Sequence, residues 1–269
     1  MPRANRHYIP GCVWHITHRC HKKEFLLKFA RDRRQWLKWL FEARKRHGLS
    51  VLNYTVTSNH IHLLVRDNGA RDVIPDSMQL IAGRMAQEYN LRKDRKGAYW
   101  EDRYHATAIE TDQHLARCMV YIDLNMVRAG VVKHPLEWPH GGYNEIQAPP
   151  QRYAIVDREA LKELLACRSE TDLAAAHRDW VEEALSKKDS LRREGKWTES
   201  IAVGSEAFVV ATQAQLGIKG QGREVIGSDG SYQLREAPVP YTPLLGHEND
   251  GLRLQNGYFW NDSDEKSVS

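Results

Sequence analysis

His60 and His62 are the residues in this chain whose type and spacing most directly offer chemistry. They lie in "SNHIHLLV", a segment of strand character, where residues i and i+2 point to the same face. Two imidazoles about 7 Å apart along the backbone can turn toward one cation, since each strand residue advances about 3.3 Å. Ile61, Leu63 and Val65 face the other way and anchor the strand. The plainer reading is a pair of half-buried histidines hydrogen-bonded to neighbours. The second group lies on a helical segment. Arg117, Tyr121, Asn125 and Arg128 fall at i, i+4, i+8 and i+11 and form one stripe. Leu115, Met119, Ile122 and Met126 make the adjacent apolar stripe and are expected to face a sheet. Tyr121 and Asn125, one turn apart, can share a site. Equally, a tyrosine can pack its ring on a core and keep its hydroxyl at the rim.

These residues need a scaffold, and the periodicity supplies one. "GCVWHITHRC" alternates as a strand, and a helix spans 29–48 up to the stop signal Gly48. Strands over 49–58 and 60–67 follow, then a helix over 74–93 capped by Asp76 or Ser77. A strand over 98–110 leads into the tyrosine helix, 111–130. The order strand–helix–strand–strand–helix–strand–helix predicts an α+β fold, a ferredoxin-like antiparallel sheet with helices on one face. The Pro- and Gly-rich stretch near 140–152 predicts a boundary. The expected organisation is a first domain over 1–148, a mainly helical extension over 149–218 with Ser205 capping its last helix, and a poorly ordered tail over 219–269.

Composition narrows the function classes. With 41% hydrophobic and 28% charged residues the chain suits a globular protein, and no apolar run is long enough to cross a bilayer. No secretion signal is visible, and Cys12, Cys20, Cys118 and Cys167 form no Cys-x-x-Cys pair, so a cytoplasmic protein with reduced thiols is expected. Net charge is +4 but unevenly spread. Residues 1–150 hold 24 Lys and Arg against 15 Asp and Glu, a net of +9, and residues 151–269 hold 15 against 20, a net of −5. A basic first part points to a polyanionic partner. Arg44, Lys45 and Arg46, and Arg92, Lys93, Arg95 and Lys96, are candidate phosphate contacts, though such runs are also ordinary solvated surface. Trp100, beside Glu101 and Asp102 at a strand entrance, is the aromatic expected to stack an unpaired base.

Taken together, these segments resemble a known family. "SNHIHLLV" resembles the His-hydrophobic-His motif of single-tyrosine HUH transposases, the IS200-like group. "YIDLNMVRAGVV" resembles the tyrosine helix of the REP-associated tyrosine transposase branch, whose members act on short palindromic repeats. "YIPGCVWHITHRC" and "YWEDRYHATAIE" resemble that branch's opening strand and the strand before the tyrosine helix, so the resemblance spans roughly 7–145. One departure is Met126, where the family usually has Pro; Met lets the helix continue. The resemblance implies a metal-dependent single-stranded DNA endonuclease and strand transferase acting on hairpin DNA. It implies His60, His62 and Asn125 as ligands of Mg²⁺ or Mn²⁺ and Tyr121 as a nucleophile forming a 5′-phosphotyrosine; Arg128, on the same helical stripe, is expected at a phosphate near the tyrosine. It implies a monomer or homodimer working at the nucleoid. A non-catalytic binder of hairpin nucleic acid on the same scaffold is the alternative. A zinc hydrolase would call for further His or Asp ligands in a regular arrangement, which His105 and His114 do not form.

Overall fold

The computed structural model describes residues 9–236 apart from 112, 188–191 and 229. A seven-stranded sheet runs through these residues in the order β2-β3-β1-β4-β5-β7-β6. The strands are β1 (Val13–Arg19), β2 (Ser50–Val56), β3 (His60–Arg66), β4 (His105–Ile109), β5 (Ala202–Gly204), β6 (Arg223–Ser228) and β7 (Ser231–Glu236). The first four pair antiparallel in the ferredoxin-like order, and β5 then adds parallel to β4. Helices α1 (Ala30–His47) and α2 (Val73–Lys93) are the crossovers. α1 stops where Gly48 takes φ +70°, the left-handed position that a residue without Cβ adopts at low cost. At the start of α2 neither Asp76 nor Ser77 caps; Asp72 takes the N-cap position, and Ser77 is buried inside the helix.

Side-chain alternation divides the sheet into two unlike faces. Rows such as Tyr54–Leu63–Ile16–Ala106 and Val51–Val65–Trp14–Ala108 are apolar. α1 and α2 lie on this side: Trp36, Leu40, Ile81 and Met85 are buried in the same core, and the Trp100 indole, stacked on His18 of this face, reaches the Ala82 carbonyl of α2. Rows Thr55–His62–Thr17–His105 and Asn53–Leu64–His15–Thr107 form the opposite face and are mostly polar. Buried polar groups need partners, and here they bond to what covers them. Thr55 donates to the Ile122 carbonyl of α3 (Gln113–Asp123), while Thr107 and His105 reach the Ser200 carbonyl. α3 therefore covers the face away from α1 and α2.

α3 does not run on to residue 130 as expected. It stops at Asp123, and α4 (Asn125–Arg128) begins beyond Leu124, whose ψ is 2°. Thr55 draws the Ile122 carbonyl out of the helical ladder at this point, a recognised cause of a kink even without proline. The stretch expected as a boundary holds α5 (Gly142–Gln147), with Tyr143 and Ile146 buried. The extension carries α6 (Arg158–Leu164), α7 (Glu170–Ser186), α8 (Lys196–Glu199) and α9 (Glu206–Gln215), the last capped by Ser205 onto the Phe208 amide. Residues 223–236, expected in a poorly ordered tail, form the β6–β7 hairpin. Leu234 is fully buried and β7 pairs with β5, so the hairpin completes the sheet edge. Residues 237–269 of that expected tail lie outside the described residues. None of the helices described is long and apolar enough to cross a membrane.

Candidate active site

Thr17, His60, His62, Tyr121, Asn125 and Arg128 line one cavity of about 680 Å³. β3 delivers the histidines, α3 the tyrosine, and α4 the asparagine and arginine. The break at Leu124 sets the angle between the last two groups. The His60 and His62 ring centroids are 5.0 Å apart, and the Tyr121 ring meets His62 edge-on at 5.8 Å. The Arg128 guanidinium lies 4.1 Å over the Tyr121 ring, and its Nη2 donates to the Tyr121 carbonyl at 2.6 Å. A single chain thus brings His60, His62, Tyr121, Asn125 and Arg128 together.

The proton positions follow from groups that can only accept. His15 Nδ1 is 2.7 Å from the Trp197 carbonyl, so it carries the hydrogen. Burial holds the His15 imidazole down to about 3, so the ring is neutral and its Nε2 accepts. That Nε2 is 2.9 Å from His62 Nδ1, which must therefore donate. His62 Nε2 is left as a lone pair facing the Asn125 carboxamide at 2.9 Å. His60 resolves the same way: its Nδ1 is 2.7 Å from Asn59 Oδ1, which accepts, leaving His60 Nε2 as the lone pair. Burial, then the Arg19, Arg193 and Arg128 charges, lower His60 to about 4. Burial, and then neighbouring His60 and His15, hold His62 well below the usual imidazole value.

Two neutral imidazoles with fixed tautomers and unshared Nε2 pairs are suited to a cation, and hydrogen bonds to the far ring nitrogens are what orient such ligands. Among the described residues no group of three His, Cys, Asp or Glu could hold a metal ion. The third donor here would be the Asn125 carboxamide, whose oxygen and nitrogen exchange by a half-turn of the side chain. Two nitrogens and one amide oxygen fit Mn²⁺ or Mg²⁺ with mixed ligation better than a closed zinc site.

Tyr121 is only 5% exposed. Burial raises its phenol above the ordinary value, while the Arg128 and Arg193 cations oppose the rise. Arg19, Lys23, Arg103, Arg128 and Arg193 line the same cavity against Glu101, Asp102 and Glu199, so the lining favours an anion.

The other sequence candidates lie elsewhere. Arg44 donates to the Ala154 carbonyl, Arg46 pairs with Glu42, and Lys45 is exposed beside them at the end of α1. Arg92 pairs with Asp32, Lys93 lies over the Phe29 ring, and Arg95 pairs with Glu24; with exposed Lys96 they form a patch at the end of α2. None of the seven lines the histidine cavity. Trp100, expected to stack a base, stacks instead on His18, with centroids 4.0 Å apart, and its N–H is spent on the Ala82 carbonyl. Sequence reasoning missed His15, Arg193 and Trp197. His15 was legible only as the residue two before Thr17 on an alternating strand; its contact with His62 depends on β1 pairing with β3. Trp197 leans on Tyr121 at 6.2 Å from a distance of 76 residues, which no local pattern encodes.

A buried chain of hydrogen bonds fixes the joint between α3 and α4. Asp123 accepts from Asn53 of β2 at 3.0 Å and from His177 of α7 at 2.8 Å. Arg178 can only donate, so the Gln147 oxygen faces it and the Gln147 amide nitrogen faces His177 Nδ1 at 3.2 Å. His177 Nδ1 therefore accepts, and its Nε2–H donates to Asp123.

Residues 8–125 match the family model described as "Transposase IS200 like". Among solved structures, one of a REP-associated tyrosine transposase bound to a REP hairpin aligns at 19% identity and TM-score 0.47, covering 55% of this chain and 87% of that one. A crystal structure described as a "putative transposase from Deinococcus radiodurans R1" aligns at 18% identity and TM-score 0.30, covering 39% and 83%. No curated protein matches the chain significantly.

Proposed function

We propose, from the match of residues 8–125 to the IS200-like transposase model, that the chain cuts and rejoins single-stranded, hairpin-forming DNA through Tyr121. The observation that carries this reading is the convergence of Tyr121, His60, His62, Asn125 and Arg128 on one cation-rich cavity. In the proposed reaction the Tyr121 oxygen attacks a backbone phosphorus. An O–P bond forms, the P–O3′ bond breaks, the phenolic proton is lost and the departing 3′-oxygen gains one. The phosphodiester energy stays in the 5′-phosphotyrosine, so the strand can be resealed without a nucleotide cofactor.

A buried phenol is a weak nucleophile near neutral pH. Arg128 offsets part of this by placing its charge over the ring and fixing the tyrosine backbone. His60, His62 and Asn125 would hold Mg²⁺ or Mn²⁺, which when bound polarises the phosphate and orients its oxygens. Arg19 and Arg193 give the cavity further charge for the flanking phosphates.

The test is incubation of the whole chain with labelled single-stranded palindromic DNA and Mn²⁺, followed by a denaturing gel and mass mapping. A covalent adduct on Tyr121 is expected, absent in Tyr121→Phe and in EDTA. An adduct that survives in Tyr121→Phe removes the nucleophile; tight DNA binding with no adduct under any metal leaves a hairpin binder.

A further inference from the structure

Tyr121 and Arg128 are shared between two cavities. The second, of about 480 Å³, lies between α3, α7 and α8. Its walls are unlike those of the histidine cavity. Val120, Leu124 and Ala184 give it aliphatic surface, and Trp180 and Trp197 give it two indoles. Arg117, Lys187 and Lys196 supply cations, the lysines paired with Glu183 and Glu194. The helical stripe noticed in the sequence now has a direction. Arg117 lies in this second cavity, Asn125 in the first, and Tyr121 and Arg128 in both.

A chain whose phosphate sits at Tyr121 must place a neighbouring nucleotide within a few ångströms of the ring. In an in-line displacement the leaving oxygen departs on the side of the phosphorus opposite the incoming one. The nucleotide that remains bonded through the phosphate is the one free to turn back beside the tyrosine. An unpaired base has apolar faces and polar edges, matching indole and aliphatic walls rimmed by donors and acceptors; a paired base has both faces covered by its neighbours and does not enter.

We propose that the second cavity holds the unpaired base of the nucleotide immediately 3′ of the scissile phosphate, with the Trp180 indole against its face and Arg117 at its polar edge. This rests on the DNA-cutting reading above and adds where that strand goes and which position is read.

The experiment measures binding without added metal, so that it does not depend on cutting. A single abasic residue is moved through the unpaired part of a palindromic oligonucleotide, and affinity is compared between the unmodified protein and Trp180→Ala. At one position the abasic residue is expected to weaken the unmodified protein about ten-fold, the usual size of one base stacked on an aromatic ring. Trp180→Ala should weaken the intact strand by a similar factor and be indifferent to the abasic residue there, because both changes remove one contact. Mapping of the adduct should place that position directly 3′ of the cut. Arg117→Gln, at an exposed position, repeats the comparison if Trp180→Ala is poorly folded. Equal penalties for variant and unmodified protein at every position overturn the pocket, as does a coupled position 5′ of the cut. Absence of any adduct overturns the cutting reading and with it the 3′ assignment, whereas the abasic scan, which reads affinity, separately decides whether the cavity holds a base.

Discussion

Replacing His177 by alanine should loosen the joint that carries the nucleophile, although His177 touches neither cavity. The His177 and Asp123 side chains are fully buried and bonded at 2.8 Å. The substitution removes a hydrogen bond to a carboxylate, about 1.5–3 kcal/mol, and leaves Asp123 Oδ2 facing a void. Oδ2 is left without a partner in the interior while the Asn53 amide still holds the other oxygen, so the upper end of that range applies, about 3 kcal/mol. In a protein of this size each kcal/mol moves Tm by about 2–4 °C, so a fall of about 6–12 °C is expected. His177→Gln, whose amide can donate to Asp123, should recover part of it. Calorimetry or a circular-dichroism melt measures the stability, and Tyr121 adduct yield well below Tm measures the effect on the joint. A Tm drop under 2 °C in His177→Ala would mean the pair contributes little and that the reasoning about Asp123 is wrong.

Gly142→Ala should destabilise by about 1–3 kcal/mol, because its Cβ would lie 2.3 Å from Asn53 Oδ1 and 3.1 Å from the Tyr54 amide nitrogen, displacing the residue that holds Asp123; denaturant titration checks it. Arg128→Lys keeps the charge but loses the flat cation over the ring and the guanidinium hydrogen bond to the Tyr121 carbonyl, so adduct formation should fall about ten-fold with little change in strand affinity, read by single-turnover gels. His140 is 5% exposed, and burial followed by Arg33 and Arg34 lowers its imidazole to about 4. The unfolded chain then binds the extra proton first, so this residue's stabilisation is complete above about pH 6.5 and is lost as pH falls toward 4. His140→Gln should flatten the acid limb of the stability curve; an unchanged slope would show that His140 is already protonated in the folded protein.

The resemblance of two short motifs pointed to the chemistry, and alternation and helical period gave the strand–helix order. His60 and His62 share a face because a strand has period two, and Tyr121 and Asn125 share a stripe because a helix turns every 3.6 residues; both facts are local and therefore legible. The two-sided sheet was not. Nothing in Asn53, Thr55, His15 or Thr107 taken singly says that they cover a buried polar face, since that depends on cross-strand register and on which carbonyls arrive from α3 and from residues 197–200. The break at Leu124 was hidden for the same reason: Met126 permits a continuous helix, and a threonine from another strand ends it. The basic runs show the converse limit. Sequence gives the count of cations, but only packing decides that Arg44 is spent on a carbonyl while Arg19 and Arg193 line the cavity. Covalent geometry fixes spacing along the chain; how far apart residues such as Tyr121 and Trp197 end up is decided by the long-range burial and hydrogen bonding that close the fold.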